Sequence, residues 1–450
     1  MSAHRKYFGT DGVRGRTGTF PITAEFALKL GWAAGKVLAQ EDGGMVLIGQ
    51  DTRVSGDMLS AALKAGFLAA GLDVYLLGAM PTPGVAYLTH SLAAKVGVVV
   101  SASHNPYYDN GIKFFNAQGK KLPDVIEYQI EELLDTPMTT VAPHKMGQAK
   151  LIGDIPGRYI EFCKNTFLKS YDLKGMKIVI DCAQGATSHI APAVFTELGA
   201  EVIAIHHTPD GFNINENCGS THPQALQQAV LAHNADLGIA FDGDGDRVLF
   251  IDDQGEMVDG DELLFIIARA YQEKGLLTGG VVGTQMSNLG LENAFKALNI
   301  AFVRTDVGDR YVMDALLQTG WNLGGESSGH IICLDKTTTG DGIVSALQVL
   351  EQLCHTKQKL HTLKKGMVKC AQILVNVPVA NGKEIVQTAV VQQFCQQAEE
   401  SLERRGRILL RASGTEPLVR VMVEGEDASL IREVADSLAA VVATAATRLR

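Results

Sequence analysis

One rhythm occurs three times along this chain: an apolar run of strand length, a Gly-rich polar loop, a helical pattern, then a second apolar run. It spans residues 45–49, 50–56, 59–70 and 74–77 first, then 177–181, 183–187, 191–198 and 202–205, and finally 280–283, 286–290, 291–298 and 301–303. Strand and helix alternating on this scale predict α/β units. The end of the chain reads differently, with strands predicted over 372–377, 407–410 and 419–424 and helices over 385–403 and 428–442, as in a smaller α+β domain. The chain has 450 residues, 46% of them hydrophobic, enough to bury several cores. The expected organisation is three similar α/β domains over 1–155, 156–254 and 255–366, and an α+β domain over 367–450.

Forty basic against fifty acidic side chains leave a formal charge of −10, which argues against a nucleic-acid surface or a polybasic membrane patch. Any phosphate-bearing ligand must then be held by local clusters of positive charge. Basic residues near the N-terminus have no apolar segment behind them, and no run approaches the roughly 20 apolar residues of a membrane span. The expectation is a cytoplasmic protein. Seven scattered cysteines without a C-x-x-C pair indicate reduced, mostly buried thiols rather than a disulfide framework or a zinc site.

Four loops carry possible chemistry. The β-branched run Val96–Val100 leads into Ser101-Ala102-Ser103-His104-Asn105-Pro106, which would set Ser103 and His104 in the open at the carboxyl edge of a sheet. An ordinary Ser/Asn turn is the commoner use of such a segment, so this serine needs partners to matter. A second apolar run, Leu237–Phe241, enters Asp242-Gly243-Asp244-Gly245-Asp246-Arg247. Three carboxylates at alternate positions, with glycines letting the backbone curl, can converge on one hard cation, and without a cation their repulsion is costly. An EF-hand would need Gly at Arg247, Glu at Asp253 and flanking helices, and D-x-D phosphatases use an aspartate as the nucleophile. Magnesium suits this cradle, because a phosphate oxygen would complete its octahedral shell.

The third loop, Gly324-Gly325-Glu326-Ser327-Ser328-Gly329-His330, contains a formal G-x-S-x-G. A hydrolase elbow would lead into a helix, whereas His330 leads into a strand-like run, so Glu326 and Ser328 read better as a carbohydrate-binding turn. The fourth is Arg411-Ala412-Ser413-Gly414-Thr415-Glu416-Pro417, with Arg420 on the following strand. Two guanidinium groups, two hydroxyls and the N–H groups of a Gly turn suit a phosphate dianion. There is no G-x-x-x-x-G-K-[ST] segment, so a P-loop nucleotide site is not supported.

Taken in order, these loops resemble the α-D-phosphohexomutase superfamily over essentially the whole chain. The family pattern T-A-S-H-N-P is met with Ser101 in place of Thr, while D-G-D-G-D-R and S-G-T-E-P are met in full. Gln184 stands where many relatives have Asn. The segments Y-F-G-T-D-G-V-R-G at 7–15, V-G-D-R-Y-V at 307–312 and D-K-T-T-T-G-D-G at 335–342 are similar to the branch acting on glucosamine phosphate. That branch interconverts glucosamine 6-phosphate and glucosamine 1-phosphate on the route to UDP-N-acetylglucosamine and cell-wall precursors. The competing readings are a phosphomannomutase or phosphoglucomutase, or a non-catalytic sugar-phosphate sensor, against which intact Ser103 and the three aspartates argue.

The resemblance implies α/β domains with mixed sheets flanked by helices, and a smaller α+β domain, around a central cleft. It implies that phosphorylated Ser103 passes its phosphoryl group to the sugar, with glucosamine 1,6-bisphosphate as intermediate and activator. One Mg²⁺ per chain would be held by Ser103, Asp242, Asp244 and Asp246. Glu326 and Ser328 would grip the sugar, and Arg411, Ser413, Gly414, Thr415 and Arg420 the phosphate that does not react. Arg14, His104, Lys113, Arg247 and His330 would lie near the reacting groups, and of these only His104 and His330 ordinarily titrate near neutrality. The expected partner is a small sugar phosphate, with no nucleic acid or membrane, and a homodimer is compatible.

Overall fold

The computed structural model describes residues 5–39, 43–403, 405–413 and 417–448. It comprises two compact units, one of Met1–Thr284 with Thr305–Lys365 and the other of Gln285–Arg304 with Gly366–Arg450. In the first unit Met45–Gln50 pairs in parallel with Asp73–Ala79 and Val96–Val100, and Asp109–Asn116 returns antiparallel beside Val96–Val100. In the second sheet Lys177–Asp181 is parallel to Glu201–Ile205 and Leu237–Phe241, and Val248–Asp252 returns antiparallel. In the third, Gly280–Thr284 is parallel to Leu323–Gly325, beside which Ile331–Cys333 returns antiparallel.

All three sheets are therefore mixed in the same way: a parallel strand passes through a short loop into an antiparallel neighbour. The serine, aspartate and sugar loops, residues 101–108, 242–247 and 326–330, are these connections. They occupy one topological position used three times, at the carboxyl ends of parallel strands where open α/β sheets take ligands. Val96–Val100 and Leu237–Phe241 are buried along their whole length. The first sheet is covered by Ala24–Ala39 and Gly56–Ala70, whose Leu30, Leu63 and Phe67 join Val46, Val98 and Ile112 in one core. Among the described residues no helix is long and apolar enough to cross a membrane. All seven cysteines are free thiols, five of them buried.

Helix Gly342–Thr356 begins at Asp341, which accepts hydrogen bonds from Val344 N at 2.9 Å and Tyr159 Oη at 2.7 Å. Burial nevertheless pushes its carboxyl up from 3.8 to about 6. Between those values the folded chain keeps a proton that the unfolded chain releases, so this group lowers stability as pH rises through the window. Asp341→Asn keeps the cap acceptor, and at pH 7.5 it should raise unfolding stability by about 1–2 kcal/mol, with no gain at pH 4. Unfolding midpoints of both proteins across pH 4–8, taken with a chelator present, test this.

The second unit carries an antiparallel sheet with Leu418–Gly425 between Ala371–Pro378 and Gly406–Ala412. Helices Ala389–Ser401 and Ala428–Arg448 cover it, burying Val391, Leu438 and Val442 against Val421. The single helix expected over 385–403 is two, Gly382–Val386 and Ala389–Ser401. The break falls at Thr388, whose backbone is extended and whose hydroxyl donates to Ile385 O at 2.8 Å, closing the first helix while the second starts. The segment Gln285–Arg304 joins this unit through Glu424, which accepts from Leu289 N, and Arg407, which donates to Glu424 and to the carbonyls of Gln285 and Ser287.

Candidate active site

Ser103 is 1% exposed, so the expectation of an open serine is wrong. The aspartate loop lies directly over it: a Cβ on Gly243 would come within 2.6 Å of Ser103 O. Ser103 also takes the left-handed conformation at φ +53°, which a non-glycine residue holds only when its surroundings insist. Those surroundings are specific. Ser103 N donates to Ser101 Oγ, which donates to Asp51 Oδ2, which in turn pairs with Arg53 Nε at 2.8 Å.

The Arg53 guanidinium then donates to the carbonyls of Ser103 at 3.0 Å, Asn105 at 2.7 Å and Asp109 at 3.0 Å, and also to Pro106 O. From the second domain, Asn215 Nδ2 reaches the carbonyls of Ser103 and Asn105. Sequence reading missed both residues, although D-x-R directly after a strand was the available signal for Arg53. Arg53→Met should cost about 3–5 kcal/mol, since it leaves the Asp51 carboxylate buried without its cation and takes a donor from four carbonyls, of which those of Ser103 and Asn105 keep Asn215. Chemical denaturation of the two proteins measures the loss.

The three aspartates converge as expected, with ligand-type oxygens within 4.8 Å of one another. Asp242 Oδ2 accepts the Ser103 hydroxyl at 2.5 Å, and Asp244 Oδ2 accepts Thr82 Oγ1 at 2.6 Å and Lys113 Nζ at 2.8 Å. Asp244 Oδ1 and Asp246 Oδ1 are buried without a hydrogen-bond partner. Burial, then repulsion from Asp246 and Asp244, raises the Asp242 carboxyl well above the usual carboxylate range. Orphaned buried oxygens and mutual repulsion are what a divalent cation would relieve, so the donor set fits one. Of the two glycines, Gly243 is required by the close approach to Ser103 and Gly245 by its φ of +73°.

Asp181, His206 and Cys218 also bring ligand-type atoms together. There, however, Asp181 already accepts from Ala183 N and Gly219 N and meets His206 Nδ1, and burial pushes the Cys218 thiol up to about 12. This group anchors its loop. Gln184 in the same loop sits at φ +51°, a conformation Asn enters more readily.

Lys113 is 2% exposed and reaches Asp244 at 2.8 Å, Asp11 at 3.0 Å and Asp246 at 3.7 Å. Burial opposes its charge, but these carboxylates outweigh burial and hold the ammonium more firmly ionised than an ordinary lysine. Asp11 also pairs with Arg14 and with Lys121, which bonds in turn to Asp309. An alternating chain of charge thus runs Asp244, Lys113, Asp11, Lys121, Asp309. Asp11, Lys121 and Asp309 were not among the expected site residues. Asp11 and Asp309 stand inside the 7–15 and 307–312 segments singled out for resemblance, which was the signal to follow.

His104 Nδ1 lies 3.3 Å from Ser103 Oγ. Burial, then Arg247 and Arg14, lowers its pKa to about 4, away from the ordinary value near neutrality. Arg247 has its Nε 3.9 Å from Asp246 Oδ1, and its backbone N donates to Asp242 Oδ1.

In the sugar loop, Glu326 is buried, its Oε1 accepts Gly308 N at 3.1 Å, and Ser328 is exposed. Gly260 N donates to Ser327 O and Val248 N to Gly329 O, which fixes this loop beside the strand leaving the aspartate cradle. His330 is 2% exposed, and neither ring nitrogen has a hydrogen-bond partner.

In the second unit Arg411 and Arg420 stand directly opposite each other across two paired strands. Like charges in that position are destabilising unless an anion joins them. Ser413 N donates to Leu418 O at 2.9 Å across the turn. Gly414 and Thr415, the other expected phosphate ligands, lie outside the described residues.

The fold and its loops correspond to four phosphoglucomutase/phosphomannomutase family profiles. Alpha/beta/alpha domains I, II and III match residues 5–140, 157–255 and 259–371, and the C-terminal domain matches 374–441. The chain belongs to the phosphoglucomutase/phosphomannomutase family. It is 58% identical over 440 residues to the phosphoglucosamine mutase of Pseudomonas entomophila (strain L48), covering 98% of this chain and 99% of the relative. It is 57% identical over 441 residues to the phosphoglucosamine mutase of Aeromonas hydrophila, with 98% and 99% covered.

Solved structures share the fold at lower identity. A Burkholderia thailandensis phosphoglucomutase/phosphomannomutase family protein superposes with a TM-score of 0.80 at 23% identity, covering 97% of each chain. Aspergillus fumigatus N-acetylphosphoglucosamine mutase, solved in complex with GlcNAc-6P and magnesium, gives 0.72 at 18% identity, covering 98% of this chain and 96% of that one.

Proposed function

We propose that this protein is a phosphoglucosamine mutase that interconverts glucosamine 6-phosphate and glucosamine 1-phosphate with Ser103 as phosphoryl carrier. The observation that carries the chemistry is Ser103 Oγ at 2.5 Å from Asp242 within a buried cradle of three carboxylates, two of whose oxygens have no hydrogen-bond partner. The substrate rests on end-to-end similarity to relatives named for it. Asp242, Asp244 and Asp246 would hold Mg²⁺, which when bound supplies positive charge against a transferring phosphoryl group.

In the first transfer the bond from phosphorus to Ser103 Oγ breaks while one forms to the free sugar hydroxyl, giving glucosamine 1,6-bisphosphate. The net proton flow is from that hydroxyl to Ser103 Oγ. After the bisphosphate turns end for end, the second transfer reverses both changes at its other phosphate. The neutral His104 ring, 3.3 Å from Oγ, is within reach of this proton. Lys113 stays charged, so it contributes positive charge rather than a base. Glu326 and Ser328 take the sugar hydroxyls, and in the second unit Arg411 and Arg420, facing each other across paired strands, suit a phosphate.

The experiment is incubation with glucosamine 6-phosphate, Mg²⁺ and catalytic bisphosphate, following the 1-phosphate and the mass of the Ser103 peptide. Turnover without any phosphorylated Ser103 would sink the carrier assignment, and a higher kcat/KM on glucose or mannose 6-phosphate would sink the substrate.

A further inference from the structure

Glucosamine and glucose phosphates differ only at C2, where one carries an ammonium and the other a hydroxyl. A site that prefers the first should hold an ionised carboxylate near its sugar contacts, open to the ligand and not committed to the metal. We propose that Asp309 is that carboxylate and reads the substrate ammonium, which makes it the residue setting preference for an amino sugar. This inference rests on the glucosamine reading above.

Asp309 follows Gly308, whose N–H holds Glu326 of the sugar loop, and its Oδ2 lies 3.8 Å from His330 Nε2. Its side chain is 16% exposed and opens into a cavity of about 240 Å³ shared with His330, Lys121, Arg310 and Thr339. The His330 ring offers two buried nitrogens with no partner to that region, which marks it as a place built for a polar ligand. Burial opposes the Asp309 charge, yet Lys121 and His330 together hold its carboxyl below the usual carboxylate range.

The cations there do not compete for the role. Arg310 is turned onto Asp124, Glu127 and Leu122 O, and Lys121 is shared between Asp309 and Asp11. Of the other carboxylates nearby, Asp11 is committed to three cations, Asp242, Asp244 and Asp246 to the cradle and Glu326 to Gly308 N, while Asp314, which also lines the cavity, is exposed to solvent. Asp309 has Lys121 on Oδ2 and Arg310 N on Oδ1, which leaves acceptor positions on both oxygens.

The test is kcat/KM for glucosamine, N-acetylglucosamine and glucose 6-phosphates, with the corresponding 1-phosphates run in reverse, for wild type and Asp309→Asn. The ratio of glucosamine to glucose should fall about 10- to 100-fold, as expected for loss of a charge-assisted bond, whatever the absolute rates do. A merely structural role for Asp309 would lower all sugars together and leave the ratio unchanged, which overturns the inference while sparing the glucosamine reading. A wild type that favours glucose overturns both. If Asp309→Asn does not fold, Asp309→Glu decides: moving the carboxylate by one methylene should change the glucosamine-to-glucose ratio several-fold, and an unchanged ratio overturns the inference.

Discussion

Ser103→Ala should lower mutase turnover by about 10⁴-fold or more while leaving the protein folded. Removing a covalent carrier abolishes both transfers rather than weakening one, and losses of this order follow deletion of a nucleophile that works with a whole site. One local effect should follow, the loss of the donor that Asp242 Oδ2 accepts from the hydroxyl. The Ser103 backbone is held through its own N–H and C=O by Ser101, Arg53 and Asn215, none of which needs the hydroxyl. Alanine tolerates the φ of +53° no worse than serine, so the melting temperature should hold within a few degrees. A steady-state assay beside a thermal melt checks both halves, and a variant that keeps even a hundredth of wild-type turnover would remove Ser103 from the mechanism.

The second large effect concerns Asp242, where activity and stability should move in opposite directions. Asp242→Asn removes a carboxylate that the cradle uses, and turnover should fall by about 10³-fold or more. The same change deletes a buried negative charge repelled by Asp246 and Asp244. In the metal-free protein this should raise unfolding stability by about 1 kcal/mol or more. Added Mg²⁺ should stabilise wild type in proportion to the logarithm of its concentration and have little effect on the variant. Thermal melts of both proteins, with chelator and across a Mg²⁺ series, read this without reference to activity. A variant less stable than wild type under chelator would show that the triad is neutralised from within.

Much of this was legible in the residues. Val96–Val100 and Leu237–Phe241 were found as strands because β-branched and apolar runs of that length have few alternatives when bounded by Gly, Ser and Asp. The aspartate loop was legible because three alternating carboxylates are self-repelling, so their crowding in one hexapeptide suits a cation site. The helix expected over 385–403 was misread because its apolar spacing continues through Thr388, whose hydroxyl closes the turn locally. His104 was read from its ordinary pKa, which burial and two arginines from other segments displaced. Arg53, Asn215, Asp11, Lys121 and Asp309 escaped because each acts on a partner far along the chain, as Lys121 does on Asp309, 188 residues away.

By itself the sequence determined which chemical groups sit at strand ends, since periodicity and turn chemistry are local and short loops leave side chains little freedom of placement. It could not determine which groups face one another. The tertiary structure decided that the serine, aspartate and sugar loops occupy one topological position in three sheets. It closed the aspartate loop over Ser103 and turned an expected open serine into a buried one. It also laid a line of alternating charge from Asp244 to Asp309 through residues separated in sequence. The physical reason is range: propensity acts over a few residues, whereas desolvation and Coulomb interaction depend on distance in space, which only packing supplies.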